Sequence, residues 1–177
     1  MIKIQMSITP TLPELKRWVE GWEKEALKDL TPFWDKYGTR LVAEELARVF
    51  VTEGYGTWAP LSPRYAITKS RLYPGKTILR RRDAYFRSAT RKGAAGNFYE
   101  RDKDKMEWGS DLSWFAASFG YPYPAVHEGG TTQSSMTPPR PVYELAANSQ
   151  ALQNNLVIGL KDWLHKTIEK ESRKYFR

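Results

Sequence analysis

The chain begins with strict alternation. Ile2, Ile4, Met6 and Ile8 are apolar while Lys3, Gln5 and Ser7 are polar, the period-two signature of a half-buried strand. Pro10 stops the run, since proline has no amide hydrogen to give a ladder. The period then lengthens. Pro13 suits the first turn of a helix on which Leu15, Trp18, Val19, Trp22, Ala26 and Leu27 share one broad face. Thr31-Pro32 reads as a cap followed by proline at the first helical position, so a second helix starts there rather than the first continuing. Its apolar stripe is Phe33, Tyr37, Leu41, Val42, Leu46, Val49 and Phe50, and Gly54-Tyr55-Gly56 follows as a loop.

From Trp58 to Gly75 the pattern is irregular or weakly helical, punctuated by Pro60, Pro63 and Pro74. Ile78, Leu79, Tyr85, Phe86 and Ala89 predict a short helix over Ile78 to Thr90, closed by Gly93 and Gly96. Phe98-Tyr99-Glu100 and Lys105 to Gly109 flank the charged run Arg101 to Asp104, a strand–turn–strand pattern. Trp114, Phe115, Ala116, Phe119 and Tyr121 are apolar without a clear period. Pro138-Pro139-Arg140-Pro141 has no place in a helix interior or a central strand and predicts an extended connector. Pro141 opens a short helical turn through Tyr143 and Leu145. Asn148 or Ser149 then caps a final helix, where Leu152, Leu156, Leu160, Trp163, Leu164 and Ile168 recur at spacings of three and four. The basic tail from Lys170 to Arg177 is expected to fray.

These elements predict an α+β fold, with a small antiparallel sheet packed against long N-terminal and C-terminal helices. One domain over 1–177 is expected, with a strand and helices in 1–54, a basic segment at 64–92, a loop at 129–137 and the last helix at 149–170. A chain of 177 residues suffices for this, burying roughly 70% of its extended surface. Seven tryptophans and ten tyrosines exceed what such a core needs, and amphipathic aromatics favour protein–protein contacts. No cysteine is present, which removes disulfides and thiolate chemistry and suits a reducing compartment. No signal peptide or run of 18 apolar residues is read, so neither export nor a membrane partner is expected.

Charge is unevenly placed. Of the net +8, the stretch from Arg64 to Lys92 carries ten Lys/Arg (Arg64, Lys69, Arg71, Lys76, Arg80, Arg81, Arg82, Arg87, Arg91 and Lys92) against Asp83 alone. Such a block attracts polyanions and steers partners. Arg80-Arg81-Arg82 would spread around a helix, so at least one is expected to pair within the protein.

Catalytic chemistry is thinly represented. His127 and His165 are the only histidines and lack metal-ligand spacing, and no phosphate-loop run occurs. Asp102 and Asp104 lie among lysines and read as a solvated turn; His165 falls on the polar side of the last helix. No catalytic residue, metal or cofactor is expected. His127 is expected to hydrogen-bond Glu128 or a carbonyl and pin the Gly129-Gly130 loop. Arg140, stiffened by prolines on both sides, is expected to clamp a carboxylate within the chain or across subunits.

Four segments in order then resemble a known family. They are Gly56-Thr57-Trp58-Ala59-Pro60-Leu61, Ile78-Leu79 with Arg82 to Ser88, Tyr123-Pro124-Ala125-Val126-His127-Glu128-Gly129, and Pro138 to Tyr143. Together they resemble the phage virion morphogenesis family, the Mu G-like tail completion proteins, over approximately Leu41 to Ile168. Trp58, Leu61, Tyr123, His127, Pro139, Arg140, Pro141 and, one position late, Tyr143 match the family's pattern. Asp83-Ala84-Tyr85 stands where the family tends to have Gly-x-Leu, and Val142 where phenylalanine is usual. The resemblance implies a structural virion protein at the neck or tail of the particle, assembled in the host cytoplasm. It implies a homo-oligomeric ring, commonly six-fold, between head–tail connector or adaptor proteins and tail tube or terminator proteins. Lys69, Arg71, Lys76, Arg80, Arg81, Arg82, Arg87, Arg91 and Lys92 would then meet passing DNA or an acidic ring. The alternative is a free-standing basic nucleic-acid-binding protein.

Overall fold

The structure, a computed structural model, describes residues 3–8, 28–130 and 137–175. The expected helix on Pro13 to Leu27, most of the loop at 129–137 and the last two residues of the tail lie outside the described residues. In chain order, β1 (Lys3–Ile8) precedes α1 (Thr31–Phe33), which passes through a π-helical turn (Trp34–Gly38) into α2 (Thr39–Val51). Then come α3 (Pro63–Leu72), α4 (Ala84–Thr90), β2 (Asn97–Arg101) and β3 (Met106–Asp111). The chain continues through α5 (Leu112–Phe119), α6 (Tyr123–Gly129), α7 (Tyr143–Ala147) and the long α8 (Gln150–Tyr175).

The fold is α+β. Its antiparallel sheet has the order β1-β3-β2, so the strand formed late in sequence lies in the middle. Trp108 faces Met6 across one ladder and Tyr99 across the other. The β2–β3 turn closes as an Asx turn: Asp102 Oδ1 accepts from the amides of Asp104 and Lys105, both at 2.9 Å.

Alternation along β3 buries Met106, Trp108 and Ser110 on one face. There α4 approaches closely because Ser88 and Ala89 are small. Trp108 Nε1 donates to Ala89 O at 2.6 Å, and Ser88 Oγ lies 2.8 Å from Ser110 Oγ. Ser110 Oγ in turn lies 2.7 Å from Tyr143 Oη, tying α7 to the same strand. Phe33, Trp34, Val42, Leu46, Val49 and Phe50 carry the core onward to Leu152, Leu160 and Leu164 of α8. Within the π turn Gly38 sits against Trp34, where a Cβ would fall 2.6 Å from the indole.

Ser149 is the residue that caps α8. Its Oγ accepts from Leu152 N at 3.2 Å and donates to the buried Glu45 carboxylate at 2.6 Å.

Several expectations need correction. Thr31 is not the cap of its helix; Asp29 Oδ1 accepts from Thr31 N at 2.9 Å instead. The helix expected from Ile78 begins only at Ala84, because Leu79 (φ 65°) and Asp83 (φ 56°) turn left-handed. The weakly helical stretch contains a true helix, α3, started by Pro63 after the extended Ser62. The aperiodic aromatic stretch is also helical: Asp111 Oδ1 accepts from Ser113 N at 2.9 Å and Trp114 N at 3.3 Å and nucleates α5. Tyr123 to Gly129 forms α6, with Pro124 in the first turn where its missing amide hydrogen costs nothing.

Candidate functional site

Pro138, Pro139 and Pro141 have no amide hydrogen, so Arg140 N and Val142 N are the backbone donors of this run before α7. Both are used. Arg140 N donates to His127 O at 2.6 Å, and Val142 N donates to the two oxygens of Glu128 at 2.9 and 3.0 Å. Acceptors are matched as well. Trp58 Nε1 donates to Pro141 O at 3.2 Å, and Arg140 Nη2 donates to Ala59 O at 3.0 Å. The extended connector is thus bonded to α6 on one side and to the Trp58-Ala59 segment on the other.

Glu128 is the hub of this joint. Beyond Val142 it accepts from Tyr85 Oη at 2.5 Å, which brings α4 into contact. Burial pushes the Glu128 carboxyl up to about 7, and burial together with that carboxylate raises the fully buried Tyr85 phenol. Trp58 is fixed from below by Gly54, whose φ is +69° and where a Cβ would fall 2.3 Å from the indole. Tyr123 packs edge-on against Phe115 at 5.0 Å and Tyr85 at 6.3 Å, and burial pushes its phenol up to about 12.

A pocket of about 760 Å³ opens beside the joint. Lys69, Arg81, Arg82, His127 and Arg140 line it, and the carboxylate among its lining residues is Asp83. That carboxylate is already held by Lys76 and by Arg80 at 3.0 Å. Leu61, Tyr65, Tyr121 and Tyr123 supply apolar wall. Arg140 is only 5% exposed, and its Nε has no hydrogen-bond partner among the described residues. Burial lowers its pKa, opposed by the Glu53 carboxylate. His127 Nδ1 is equally without a partner. Burial, helped by the Arg140 charge, lowers His127 to about 4 and keeps the ring neutral near neutral pH.

Three site expectations change accordingly. His127 pins the connector through its backbone carbonyl, not its ring, and it is Glu128 that binds outward. Arg140 forms no ion pair with a described carboxylate; its guanidinium reaches Ala59 O. Lys69, expected to meet polyanions, is 5% exposed and its Nζ donates to Thr77 O and, at 2.9 Å, to Lys76 O. Other members of the basic block are also engaged. Lys92 pairs with Asp35 at 2.9 Å and lies 3.9 Å from the Tyr99 ring centre, while Arg80 lies 4.1 Å from that of Phe86. Arg81 Nε donates to Tyr73 Oη at 3.0 Å. Arg71, Arg82, Arg87 and Arg91 are exposed, as is Pro139.

The sequence reading gave no bonding role to Tyr85, Ser110 or Asp35, and named Glu128 only as a partner for His127. Asp35 receives both Nε and Nη2 of Arg101, at 2.9 and 2.7 Å. A carboxylate directly after His127 and before two glycines was the available signal for Glu128. Among the described residues no cluster of three or more His, Cys, Asp or Glu could hold a metal ion, and no helix is long and apolar enough to cross a membrane. Compared with protein-family models, curated proteins and solved structures, the chain matches none.

Proposed function

We propose that this chain is a structural virion protein of a tailed phage. It forms a homo-oligomeric ring, six-fold, at the neck or tail end, completing the tail and joining it to the head through connector and tail proteins. One observation carries the reading. The four segments that resemble the virion morphogenesis family, far apart in sequence, converge on one hydrogen-bonded joint. Trp58, Tyr85, His127, Glu128 and Arg140 all serve there as packing and bonding elements around Pro138 to Tyr143. Exposed Tyr65 and Tyr121 on the wall of the adjoining pocket, with Ile67 and Leu72 exposed on α3, leave apolar surface for neighbours.

The test is assembly. Sedimentation of the purified chain, with and without connector and tail-tube rings, and electron-microscope class averages are expected to show a closed ring. Dispersed subunits that bind neither ring would overturn the reading.

A further inference from the structure

We infer that the cationic pocket is a receptor for a carboxylate carried on an acidic segment of another protein, with the buried Arg140 as its anchor and the exposed Arg82 at its edge. Four observations lead there. The pocket gathers Lys69, Arg81, Arg82 and Arg140 while its one lining carboxylate, Asp83, is committed to Lys76 and Arg80. Counting the Glu53 carboxylate, which acts on Lys69 and Arg140 from outside the lining, these four cations still outnumber two carboxylates. Arg140 is 5% exposed yet its Nε–H donates to no described group, and His127 Nδ1 beside it is also unpartnered. Buried polar atoms are nearly always hydrogen-bonded, so the unmet Nε–H of Arg140, a residue that lines the cavity, marks the place of an absent acceptor, which the neutral His127 ring can also meet in the tautomer with its proton on Nδ1.

The form of the acceptor follows from reach and shape. A planar carboxylate fits the flat donor fork of a guanidinium. An Asp or Glu side chain is slim enough to enter a pocket of about 760 Å³ and reach a residue so deeply placed. A duplex phosphate is carried on a wide, stiff backbone and stops at the exposed arginines. Tyr65 and Tyr121, 41% and 54% exposed on the pocket wall, suit an acidic segment with apolar neighbours. The segment belongs to a different, acidic protein, because the pocket opens within the chain's basic block, Arg64 to Lys92, where Asp83 is the one acidic residue against ten Lys/Arg. Burial lowers the pKa of both Lys69 and Arg140, and a bound carboxylate would compensate that loss of hydration.

Fluorescence anisotropy at physiological salt tests this with a labelled peptide holding two glutamates between phenylalanines, its glutamine counterpart, and a short duplex DNA as competitor. The glutamate peptide is expected to bind about tenfold tighter than the glutamine one. Arg82→Glu should remove that difference without disturbing the fold. Should Arg140→Gln fail to fold, the Arg140 Nε–H resonance of the intact protein reports the same contact and should move with the glutamate peptide alone. Equal binding of the two peptides overturns the inference. So does an unmoved Arg140 resonance, or displacement of the peptide by DNA. The pocket belongs to a single chain, so dispersed subunits that bind the peptide would sink the ring and keep the pocket; a ring that ignores the peptide would do the reverse.

Discussion

His127 and Glu128 are adjacent, both substantially buried, and shifted in opposite directions. Glu128 is raised from 4.5 to about 7, so its folded state favours the proton. Its contribution is complete below pH 4.5 and is lost as pH rises through 7. His127 is lowered from 6.5 to about 4, so its contribution is complete above pH 6.5 and lost as pH falls through 4. Each shift corresponds to about 3 kcal/mol, and between pH 4.5 and 6.5 the slopes oppose. Urea unfolding midpoints of the native chain should therefore vary little across that window. Glu128→Gln, which can still accept from Val142, should lose stability as pH falls from 6.5. His127→Gln should lose it as pH rises from 4.5. Parallel profiles for the two variants would refute the pairing. Gly54 and Gly56 offer a second residue-level contrast. Both have positive φ, but only at Gly54 would a Cβ strike the Trp58 indole, whereas nothing lies within 4 Å at Gly56. Gly56→Ala should cost about 1 kcal/mol from backbone conformation alone. Gly54→Ala should cost about 3 kcal/mol or more, by displacing Trp58 from Pro141.

At the scale of elements, α3 is the most loosely committed helix of the pocket wall. Its one buried side chain is Lys69, whose ammonium is bonded to two carbonyls of the following turn. Ile67, 71% exposed, and Leu72 face away from the core. Lys69→Met should take the side-chain donor from both carbonyls, leaving Thr77 O only the amide of Arg80 at 3.2 Å, and release the helix. Amide exchange across Pro63 to Leu72 should quicken while that of α2 and β3 holds, with a global loss of about 1–2 kcal/mol. How far such elements can be read from sequence depends on which force sets them. The β2–β3 hairpin was legible because Asp102 provides local turn chemistry, and α8 because its leucines recur along one face. The start of α4 was not, since Leu79 and Asp83 adopt a left-handed backbone, held by ion pairs of Asp83 with Lys76 and Arg80, that hydrophobic spacing does not encode. Helix α5 hid its period because Trp114, Phe115 and Phe119 meet other rings on several sides. Helix α6 was not read at all, since its seven residues are too few to show a helical period. The pocket was not legible at all. Lys69, Arg82, His127 and Arg140 become neighbours only when distant segments close, and no local pattern encodes that.

Over the whole molecule, the basic block is less available than its net charge suggests. Lys69 is buried, and Lys76, Arg80 and Lys92 are held by Asp83 and Asp35. Arg64, Arg71, Arg81, Arg82, Arg87 and Arg91 remain exposed. Any DNA binding should then show a slope of log K against log salt no steeper than about −5; a slope near −9 would mean that the paired lysines are freed on binding. The order β1-β3-β2 has a different consequence, one of timing. On the ribosome β1 emerges before the other two strands, yet among the described residues its one ladder is with β3, far down the chain. At about 5–20 residues per second it waits on the order of 10 s for a partner. The β2–β3 hairpin can close without it, leaving one side of β3 unpaired until a strand arrives. At high concentration that strand can also come from a second copy of the chain. A chain lacking residues 1–8 should accordingly capture a synthetic peptide of that sequence, and newly made chains should exchange strands more readily than fully folded ones.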